Sequence, residues 1–591
     1  MKMTSDRKER IGQGLFAAAA VLCVGAVIAI FAFLIVRSIP AFGKIGIGNL
    51  LFGRNWSPDR LDTYGAPLSG SYGLLTMIVG TLAATAGAMA VGGLVGFFTA
   101  VFLVYWCPKR LRGPLSAVID LLAGIPSVVY GVFGIAFLLP VLSEIAPNNG
   151  SGLLAVSLIL GVMVLPTVVS LSRVALEAVP QSYYEGSVAL GATHAETVFR
   201  VMIPAAKSGI LASLVLGTGR AMGETMAVVM VAGNAAAFPQ GLFSSFRVLT
   251  ANIVMEMGYA GEVQEGALIA TGSVLLVLVL AINLLFGAVS GKTVRRLSAN
   301  GKVSHRRLPW LSPKLGRGLA IGAGCLTASA LLLILGFIAA KGIPVLVRDP
   351  SVLYGPFEFG STDITILPAL VMTLWAVAIS LALAVPVGIM TAIYLHEYAG
   401  RNSLAVRIIR GAIDLLAGVP SIVYGLFGMM TFVSFFGGSG SILAGSLTVA
   451  MMLLPTVVRT TEESLRTVSD TLREGSLALG AGKLRTVCRV VLPSALPGIL
   501  SAVILSMGRV IGESAPFLYT MGSVIKAVPH GPRDSGATLA VALYQLSGEG
   551  WYINEAYATA VVLVALVLIL NLAARKCAAG LARKQRGETY G

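Results

Sequence analysis

Long runs of apolar residues, separated by short polar segments, dominate the chain. The runs are continuous, without the alternation of apolar and polar positions that a membrane β-barrel requires. A helix needs about 20 apolar residues to cross a bilayer, and each run is close to that length or longer. The pattern predicts an all-α polytopic membrane protein with about twelve transmembrane helices. The predicted spans are 14–38, 72–105, 116–142, 152–172, 208–233, 267–289, 317–340, 364–396, 408–435, 441–458, 497–522 and 556–574.

The chain contains two copies of one sequence pattern. IDLLAGIPSVVYG at 119–131 recurs as IDLLAGVPSIVYG at 413–425, and LPTVV and EGS(V/L)ALGA also occur twice. Such self-similarity indicates a duplicated architecture. Six spans per copy bring the second copy in with the same orientation as the first, so the repeat is parallel. We predict a first half at 1–289, a basic cytoplasmic linker at 290–318 and a second half at 319–591.

Charge and composition narrow the class further. Only 12% of the residues are charged, against about 25% in soluble domains, yet the net charge is +16. The Lys and Arg residues flank apolar runs, as the positive-inside rule describes, which predicts that both termini are cytoplasmic. The pattern does not indicate a nucleic-acid partner, because no folded basic surface is visible. The scattered cysteines and histidines predict no metal site.

Two ionisable residues interrupt an apolar run in each half. GRAMGET at 219–225 contains Arg220 and Glu224, and GRVIGES at 508–514 contains Arg509 and Glu513. A charge at mid-membrane costs roughly 3 kcal/mol or more, so it usually has a function. The spacing of four predicts that each pair shares one helix face and can form an ion pair. A self-neutralising pair that only locks helix packing is the alternative.

The functional interpretation is a site for a protonated oxyanion. The guanidinium fork of Arg220 and of Arg509 suits phosphate oxygens. Phosphate near neutral pH keeps a P–OH group, which can donate a hydrogen bond to the carboxylate of Glu224 or Glu513. Sulfate has no such hydrogen at this pH, so both carboxylates would repel it. We expect the arginines to converge near a pseudo-twofold axis. The hydroxyls of Thr225 and Ser514 are expected to add weaker contacts.

Two further repeated features bear on the helices. Pro126 and Pro420 lie inside apolar runs and are expected to kink the third helix of each half. Structural packing is the favoured interpretation of the segments around them, with a lining role for Ser127 and Ser421 as the alternative.

The longest cytoplasmic segment of each half carries a repeated pattern. EGSVALGATHAETVFRVMIP (185–204) matches EGSLALGAGKLRTVCRVVLP (474–493). The small residues would allow close approach of a partner, the glycine turns the chain, and the proline restarts a helix. Two copies favour a pair of identical sockets on a partner. An amphipathic helix at the membrane interface is the alternative.

This pattern resembles the E-A-A…G…I-x-L-P signature of ABC importer permeases of the type I fold. Here Gly186 and Gly475 stand where the signature prefers Ala. The resemblance implies a coupling helix that inserts into an ATP-hydrolysing subunit. It places six residues at the ATPase interface: Glu185, Gly191, Pro204, Glu474, Gly480 and Pro493.

The chain itself is not expected to be an enzyme. SGKT at 290–293 resembles the end of a phosphate-binding loop, but Phe286 stands where that loop needs glycine. We expect no cofactor on this chain, and ATP with magnesium on a partner ATPase.

The GRAMGET and GRVIGES motifs resemble the fifth helix of the two permeases of the phosphate-specific (Pst) ABC importer. The first half is similar to the C-type permease and the second to the A-type, which are usually separate polypeptides. The resemblance implies an inner-membrane phosphate importer. Its partners would be two ATPase copies, an external (periplasmic) phosphate-binding protein, membrane lipid and a phosphate-sensing signalling complex.

Other functions stay open from the sequence. A permease for another oxyanion, such as phosphonate or molybdate, would use similar residues. A proton-coupled secondary transporter would use Glu224 and Glu513 as a proton relay. The apolar stretches LTANIVMEMGY (249–259) and ATLAVALYQLSGE (537–549) lie in outer loops and are expected to turn back toward the membrane.

Overall fold

The computed structural model describes residues 2–58, 60–61, 67–68, 70–146, 148–300, 313–355, 364–400, 403–548 and 552–585. Helices make up nearly all of this part of the chain. It divides into two compact units, Ser38–Pro344 on one side and Met1–Arg37 with Val345–Gly591 on the other. The middle of the predicted linker, 301–312, lies outside the described residues.

The first half and the start of the linker contain fifteen α-helices in chain order. Some are continuations of one another across short π-helical turns at Met89–Gly93, Gly134–Leu138 and Val198–Met202. Short 3₁₀ turns lie at Asn148–Gly150 and Met257–Tyr259. The α-helices are α1 (Lys2–Ile45), α2 (Ile47–Phe52), α3 (Leu75–Ala88), α4 (Leu94–Tyr105), α5 (Lys109–Gly124), α6 (Ser127–Phe133), α7 (Leu139–Ser143), α8 (Leu153–Glu177), α9 (Gln181–Ala189), α10 (His194–Thr197), α11 (Ile203–Ala205), α12 (Lys207–Gly223), α13 (Met226–Val231), α14 (Leu249–Glu256) and α15 (Glu262–Asn300).

The second half repeats this order. Its π-helical turns are Tyr394–Tyr398, Met429–Val433 and Val487–Val491. Its α-helices are α16 (Pro313–Arg348), α17 (Ser351–Tyr354), α18 (Leu367–Ile393), α19 (Leu404–Gly418), α20 (Ser421–Gly428), α21 (Ile442–Arg466), α22 (Asp470–Ala478), α23 (Lys483–Thr486), α24 (Leu492–Gly512), α25 (Ala515–Thr520), α26 (Leu539–Gly548) and α27 (Ile553–Gln585).

Short strands occur in the first outer loop. The two-residue strands β1 (Trp56–Ser57) and β4 (Ser71–Tyr72) pair antiparallel, as do β2 (Arg60–Leu61) and β3 (Pro67–Leu68).

The twelve predicted spans all fall on helices. Within the described residues, nine helices are long and apolar enough to cross a membrane, or up to eleven if two bent pairs count as spans. The two bent pairs are His194–Ala205 with Lys207–Gly223 and Leu404–Gly418 with Ser421–Val433. The prediction of uninterrupted helices was incomplete at these two places. The third span of the second half turns by 98° between Leu404–Gly418 and Ser421–Val433. Pro420 has an extended ψ of 146° and starts the next helix, so the expected kink is a full break.

The first helix of each half belongs to the compact unit formed mainly by the other half. Phe16, Ala20 and Cys23 of α1 lie in one buried cluster with Ala392 and Ile413 of the second half. The Cys23 thiol is 3.3 Å from the Thr391 hydroxyl. The two sequence halves therefore do not coincide with the two compact units.

Helix α16, the first helix of the second half, packs in turn against helices of the first half. The Thr327 hydroxyl lies 2.8 Å from that of Thr99, and both are buried. A Cβ atom on Gly324 would approach the Phe102 ring to 2.4 Å, so glycine allows the two helices to lie close together. This small-residue contact is typical of helix packing in membranes, where close approach increases van der Waals attraction.

The segments between the fifth and sixth spans provide hydrogen-bond acceptors for the start of the fourth span in each half. The N–H groups of Gly152 and Leu154, at the start of α8, donate to the carbonyls of Val231 and Leu242. At the start of α21, the N–H of Ile442 donates to the Asp534 carbonyl at 2.9 Å. These segments thus satisfy amide groups that a helix start leaves unpaired.

Candidate substrate site and coupling segments

The fifth span of each half breaks at the glutamate of the repeated motif. Helix α12 ends at Gly223, Glu224 is extended with φ −73° and ψ 135°, and α13 begins at Met226. The second half is the same: α24 ends at Gly512, Glu513 has φ −78° and ψ 134°, and α25 begins at Ala515. The prediction that arginine and glutamate share one continuous helix face was therefore wrong, because the backbone leaves the helix between them.

The break places each charge at the helix end that favours it. Arg220 lies in the last turn of α12, where the helix dipole is negative. The Glu224 carboxylate accepts hydrogen bonds from the backbone N–H groups of Thr225 and Ala227, at the start of α13. Both charges therefore gain from the helix ends, without needing each other as sole partner.

The interrupted backbone is hydrogen-bonded within the protein. The Glu224 carbonyl accepts from the Thr250 hydroxyl at 3.0 Å, and the buried Thr225 hydroxyl donates to the Gly223 carbonyl at 3.4 Å. Non-helical backbone at membrane depth requires such internal partners. In the isolated chain the Thr225 hydroxyl is thus engaged locally.

The other repeated motifs supply the partners of the first-half charges. Arg220 Nη1 donates to Thr167 Oγ1 at 3.0 Å, and Thr167 belongs to LPTVV. The Ser127 hydroxyl, which follows Pro126 at the break of the third span, hydrogen-bonds the Glu224 carboxylate. Three motifs distant in sequence therefore meet at one place, which supports the alternative in which Ser127 takes part in the site.

The second half builds a related but looser site. Arg509 Nη1 lies 3.4 Å from Thr456 Oγ1, and Arg509 Nε lies 3.6 Å from Glu513 Oε1. The arginine side chain is 42% exposed, whereas Ser514 is buried. Here arginine and glutamate form an ion pair in spite of the helix break.

The sequence interpretation missed a threonine that contacts each arginine and an asparagine close to the glycine before it. Thr167 and Thr456 occupy the same position of the repeated LPTVV, so their shared role could have been noticed. Asn283 and Asn571 are amide side chains in the sixth span of each half. An ideal Cβ on Gly219 would lie 3.6 Å from the Asn283 amide, and one on Gly508 would lie 3.7 Å from the Asn571 amide.

The helices α9 and α22, which carry the repeated EGS(V/L)ALGA pattern, end in matching turns. Gly191 has φ +84° and Gly480 has φ +81°. The N–H of Gly191 donates to the Val188 carbonyl at 2.9 Å, and that of Ala192 to the Ser187 carbonyl at 3.3 Å. This pair of bonds defines a Schellman motif, which needs a left-handed residue after the helix. The glycine of the pattern therefore turns the chain, as predicted.

The prolines of the pattern do not restart a helix as predicted, because each lies within a helix that continues through a π-helical turn, His194–Ala205 and Lys483–Gly512. Pro204 lies in the first turn of α11 and Pro493 in the first turn of α24, and each follows a π-helical turn. Proline lacks the N–H group that a continuing α-helix would need there, so it fits this position.

The turns present an apolar residue to solvent. No residue of α9 or α22 is buried, and Leu190 and Leu479, just before the glycines, are 91% exposed. Glu185 and Glu474 are also exposed. Both segments thus carry a fully exposed leucine at the same position.

The two segments are attached to their units by different chemistry. In the first half, the Tyr184 hydroxyl lies 2.7 Å from His194 Nδ1, and His194 Nε2 lies 3.2 Å from the Tyr105 carbonyl. At the equivalent positions the second half has Arg473 and Lys483. Arg473 donates to Glu397 and to the Leu465 and Val468 carbonyls. The two segments thus have the same backbone turns but differ in charge at these two positions.

The fold, the broken fifth spans and the repeated α9 and α22 segments are those of a helical membrane protein built from a tandem repeat. The chain belongs to the family of binding-protein-dependent transport system inner membrane components, whose model matches residues 92–295 and again residues 384–586. It is a multi-span transport subunit of the ABC permease class.

Individual relatives agree with this class. The chain is 30% identical to the phosphate transport system permease protein PstA homolog of Mycoplasma pneumoniae, over 74% of this chain and 76% of that one. It is 34% identical to the phosphate transport system permease protein PstC of Haemophilus influenzae, over 37% of this chain and 76% of that one. A probable ABC transporter permease protein, YqgH of Bacillus subtilis, is 36% identical over 48% of this chain and 90% of its own length. The predicted resemblance to both the A and C types is confirmed.

Proposed function

We propose that this chain is the membrane permease of an ATP-driven importer of inorganic phosphate. The observation that carries the proposal is the duplicated arrangement in which a helix break separates an arginine from a glutamate. The names of the relatives support the same substrate.

Each group of the site has a distinct part in the proposal. Arg220 and Arg509 bind the negative oxygens of phosphate, since guanidinium offers paired donors. Glu224 and Glu513 accept the remaining P–OH hydrogen, which selects a protonated oxyanion. Thr167 and Thr456 hold the arginines in position, and the hydroxyls of Thr225 and Ser514 add contacts when the ion enters. Ser127 orients Glu224.

The energy for transport comes, in this proposal, from two copies of a cytoplasmic ATPase that bind ATP and magnesium. They dock on Glu185, Gly191 and Pro204 of the first half and on Glu474, Gly480 and Pro493 of the second. The chain lies in the bacterial inner membrane with both ends in the cytoplasm. An external phosphate-binding protein delivers the ion, and a phosphate-sensing complex reads the state of the permease.

The direct test is phosphate uptake by cells that depend on this transporter. Arg220→Ala and Arg509→Ala are expected to reduce uptake strongly, because each removes charge-assisted hydrogen bonds worth about 2 kcal/mol, or about thirtyfold in affinity. Arg348→Ala removes the same charge from the exposed end of α16 and serves as the control. Near-normal uptake by both site variants would overturn the assignment.

Competition separates phosphate from the other oxyanions. Uptake of labelled phosphate should resist an excess of phosphonate or molybdate, and it should stop when the ATPase is inactivated. Uptake that survives without the ATPase but collapses with the proton gradient would instead show a proton-coupled transporter.

A further inference from the structure

The second half contains a cavity at the base of its cytoplasmic segment, outside the proposed transport site. The cavity has a volume of about 450 Å³ and is lined by Arg410, Arg466, Arg473, His396 and Asp470, among others. We call it the basic cavity. Its size falls within the range of about 300–1,000 Å³ that small-molecule sites occupy.

Two of its arginines are only partly neutralised. Arg410 Nη2 and Arg466 Nη2 donate to the same oxygen of Glu462, at 2.6 and 2.8 Å. One carboxylate thus serves two guanidinium groups, whereas Arg473 has two carboxylate partners of its own, Glu397 and Asp470. The Nε–H of Arg410 is buried and has no hydrogen-bond partner. A buried donor without an acceptor costs about 1–3 kcal/mol, which an incoming oxygen would recover.

The third arginine connects the cavity to the coupling segment. Arg473 belongs to α22, and its donors are used by Glu397, Asp470 and the carbonyls of Leu465 and Val468. Asp470 is the first residue of α22 and also lines the cavity. Anything that binds between Arg410, Arg466 and Arg473 would therefore hold α22 against helices α19 and α21.

The first half offers a natural comparison. Repeat alignment places Ser116, Arg173 and Glu177 opposite Arg410, Glu462 and Arg466, so the arginine–glutamate order is reversed and one arginine is a serine. The corresponding cavity there is only about 170 Å³, and Arg173 Nη1 donates to Ser116 Oγ at 2.7 Å. In the first half Arg112 and Arg173 also donate to one oxygen of Glu177, so the additional basic residue of the second half is Arg473, where the first half has Tyr184.

We propose that the basic cavity binds a phosphate-type oxyanion on the cytoplasmic side and that its occupancy restrains α22. The source of the oxyanion is free inorganic phosphate or the headgroup of an anionic lipid, since both present the same oxygens. A restrained α22 slows ATP hydrolysis, so the accumulated product or the lipid surface regulates the permease. The direction of this effect depends on the function and topology proposed above.

The test uses the complete transporter with its ATPase and binding protein in phosphatidylcholine nanodiscs. ATP hydrolysis stimulated by the phosphate-loaded binding protein is titrated with inorganic phosphate at constant ionic strength. Arg410→Ser introduces the first-half residue and should raise the half-inhibitory phosphate concentration about tenfold, the effect of one charge-assisted hydrogen bond. Arg410→Lys keeps the charge and should give a smaller shift.

Arg407→Ser is the matched control, because Arg407 is an exposed arginine of the same helix α19 and does not line the cavity. It should follow the unaltered chain. A second titration varies the phosphatidylglycerol content without added phosphate. If the headgroup is the ligand, this lipid lowers hydrolysis in the unaltered chain and not in Arg410→Ser.

Identical curves for Arg410→Ser and the unaltered chain in both titrations would overturn the proposal. A phosphate-loaded binding protein that stimulates no variant would instead contradict the proposed transport function. In that case the lipid titration, read on basal hydrolysis, still tests the cavity.

Discussion

At the scale of single residues, the central feature is how a membrane protein keeps arginine and glutamate in an apolar span. The break after Gly223 gives Arg220 a helix C-terminus and Glu224 a helix N-terminus. Hydroxyl groups of Thr167 and Ser127 complete their hydrogen bonds. The charges are therefore stable without a substrate, which leaves the remaining guanidinium donors free to exchange partners when an anion arrives.

Thr167→Val tests whether this threonine positions Arg220. Valine keeps the shape but removes the acceptor, so the apparent affinity for phosphate should fall about fivefold, as expected for one hydrogen bond of about 1 kcal/mol. Initial uptake rates against phosphate concentration measure the change. Thr167→Ser restores a hydroxyl and should recover most of the affinity. Equal affinity in the valine and serine variants would contradict a positioning role.

Glu224→Gln tests the acceptor of the P–OH hydrogen. The amide has no negative charge, so the repulsion of a fully deprotonated anion is relieved. Sulfate should then inhibit phosphate uptake at concentrations lower by at least about tenfold. Unchanged sulfate competition would show that the carboxylate does not select the protonation state.

At the scale of elements, the glycine turns after α9 and α22 allow the backbone requirement of the turn to be tested separately from contact with a partner. Gly191→Ala forces a side chain into a left-handed conformation and should cost roughly 1–2 kcal/mol. ATP hydrolysis stimulated by the binding protein should fall, because Leu190 loses its fixed direction. Gly186→Ala is the matched control, since Gly186 lies inside α9 with open space around it and alanine favours the helix. An equal loss in both variants would indicate crowding against the ATPase instead of a turn requirement.

The outer loop at Asp534 gives a pH prediction. The backbone N–H groups of His530 and Gly531 donate to its carboxylate at 2.6 and 3.0 Å and hold the pKa of Asp534 below its ordinary value. A lowered pKa stabilises the folded loop above the ordinary Asp value, and this stabilisation disappears as the pH falls through the lowered one.

Hydrogen exchange of residues 526–536, corrected for intrinsic rates, should therefore show constant protection between pH 5 and 8. Asp534→Asn should reduce protection across that whole range, because the amide oxygen is a weaker acceptor. Protection that changes within this pH range in the unaltered chain would contradict control by Asp534.

The sequence predicted the helices better than the site. Continuous apolar runs and duplicated motifs sufficed for the spans, since burial in lipid leaves helices as the main solution. The breaks at Glu224 and Pro420 could not be read in the same way, because the partners that satisfy a broken backbone, such as Thr250, lie elsewhere in the chain. The sequence also did not reveal that α1 packs with the second half and α16 with the first, because an apolar helix face does not specify which helix it contacts.

At the scale of the whole molecule, the exchanged first helices make each half incomplete. A chain that ends at residue 300 contains the first half but lacks α16, and Phe102 and Phe199 lose the helix that packs on them. We expect this fragment to be degraded or aggregated in the membrane. Co-expression of residues 301–591 should restore it, as measured by fluorescence-detected size-exclusion chromatography. A stable, monodisperse fragment on its own would contradict this expectation.

The same exchange has a consequence for biogenesis. Helix α1 leaves the ribosome well before its neighbours Ala392 and Ile413, which are made several hundred residues later. At about 5–20 residues per second, the nascent helix waits on the order of tens of seconds before the helices that it packs against have been synthesised. During that interval lipid, an insertion chaperone or helices of the first half must shield Phe16 and Cys23, so the speed of synthesis bears directly on the folding of this helix.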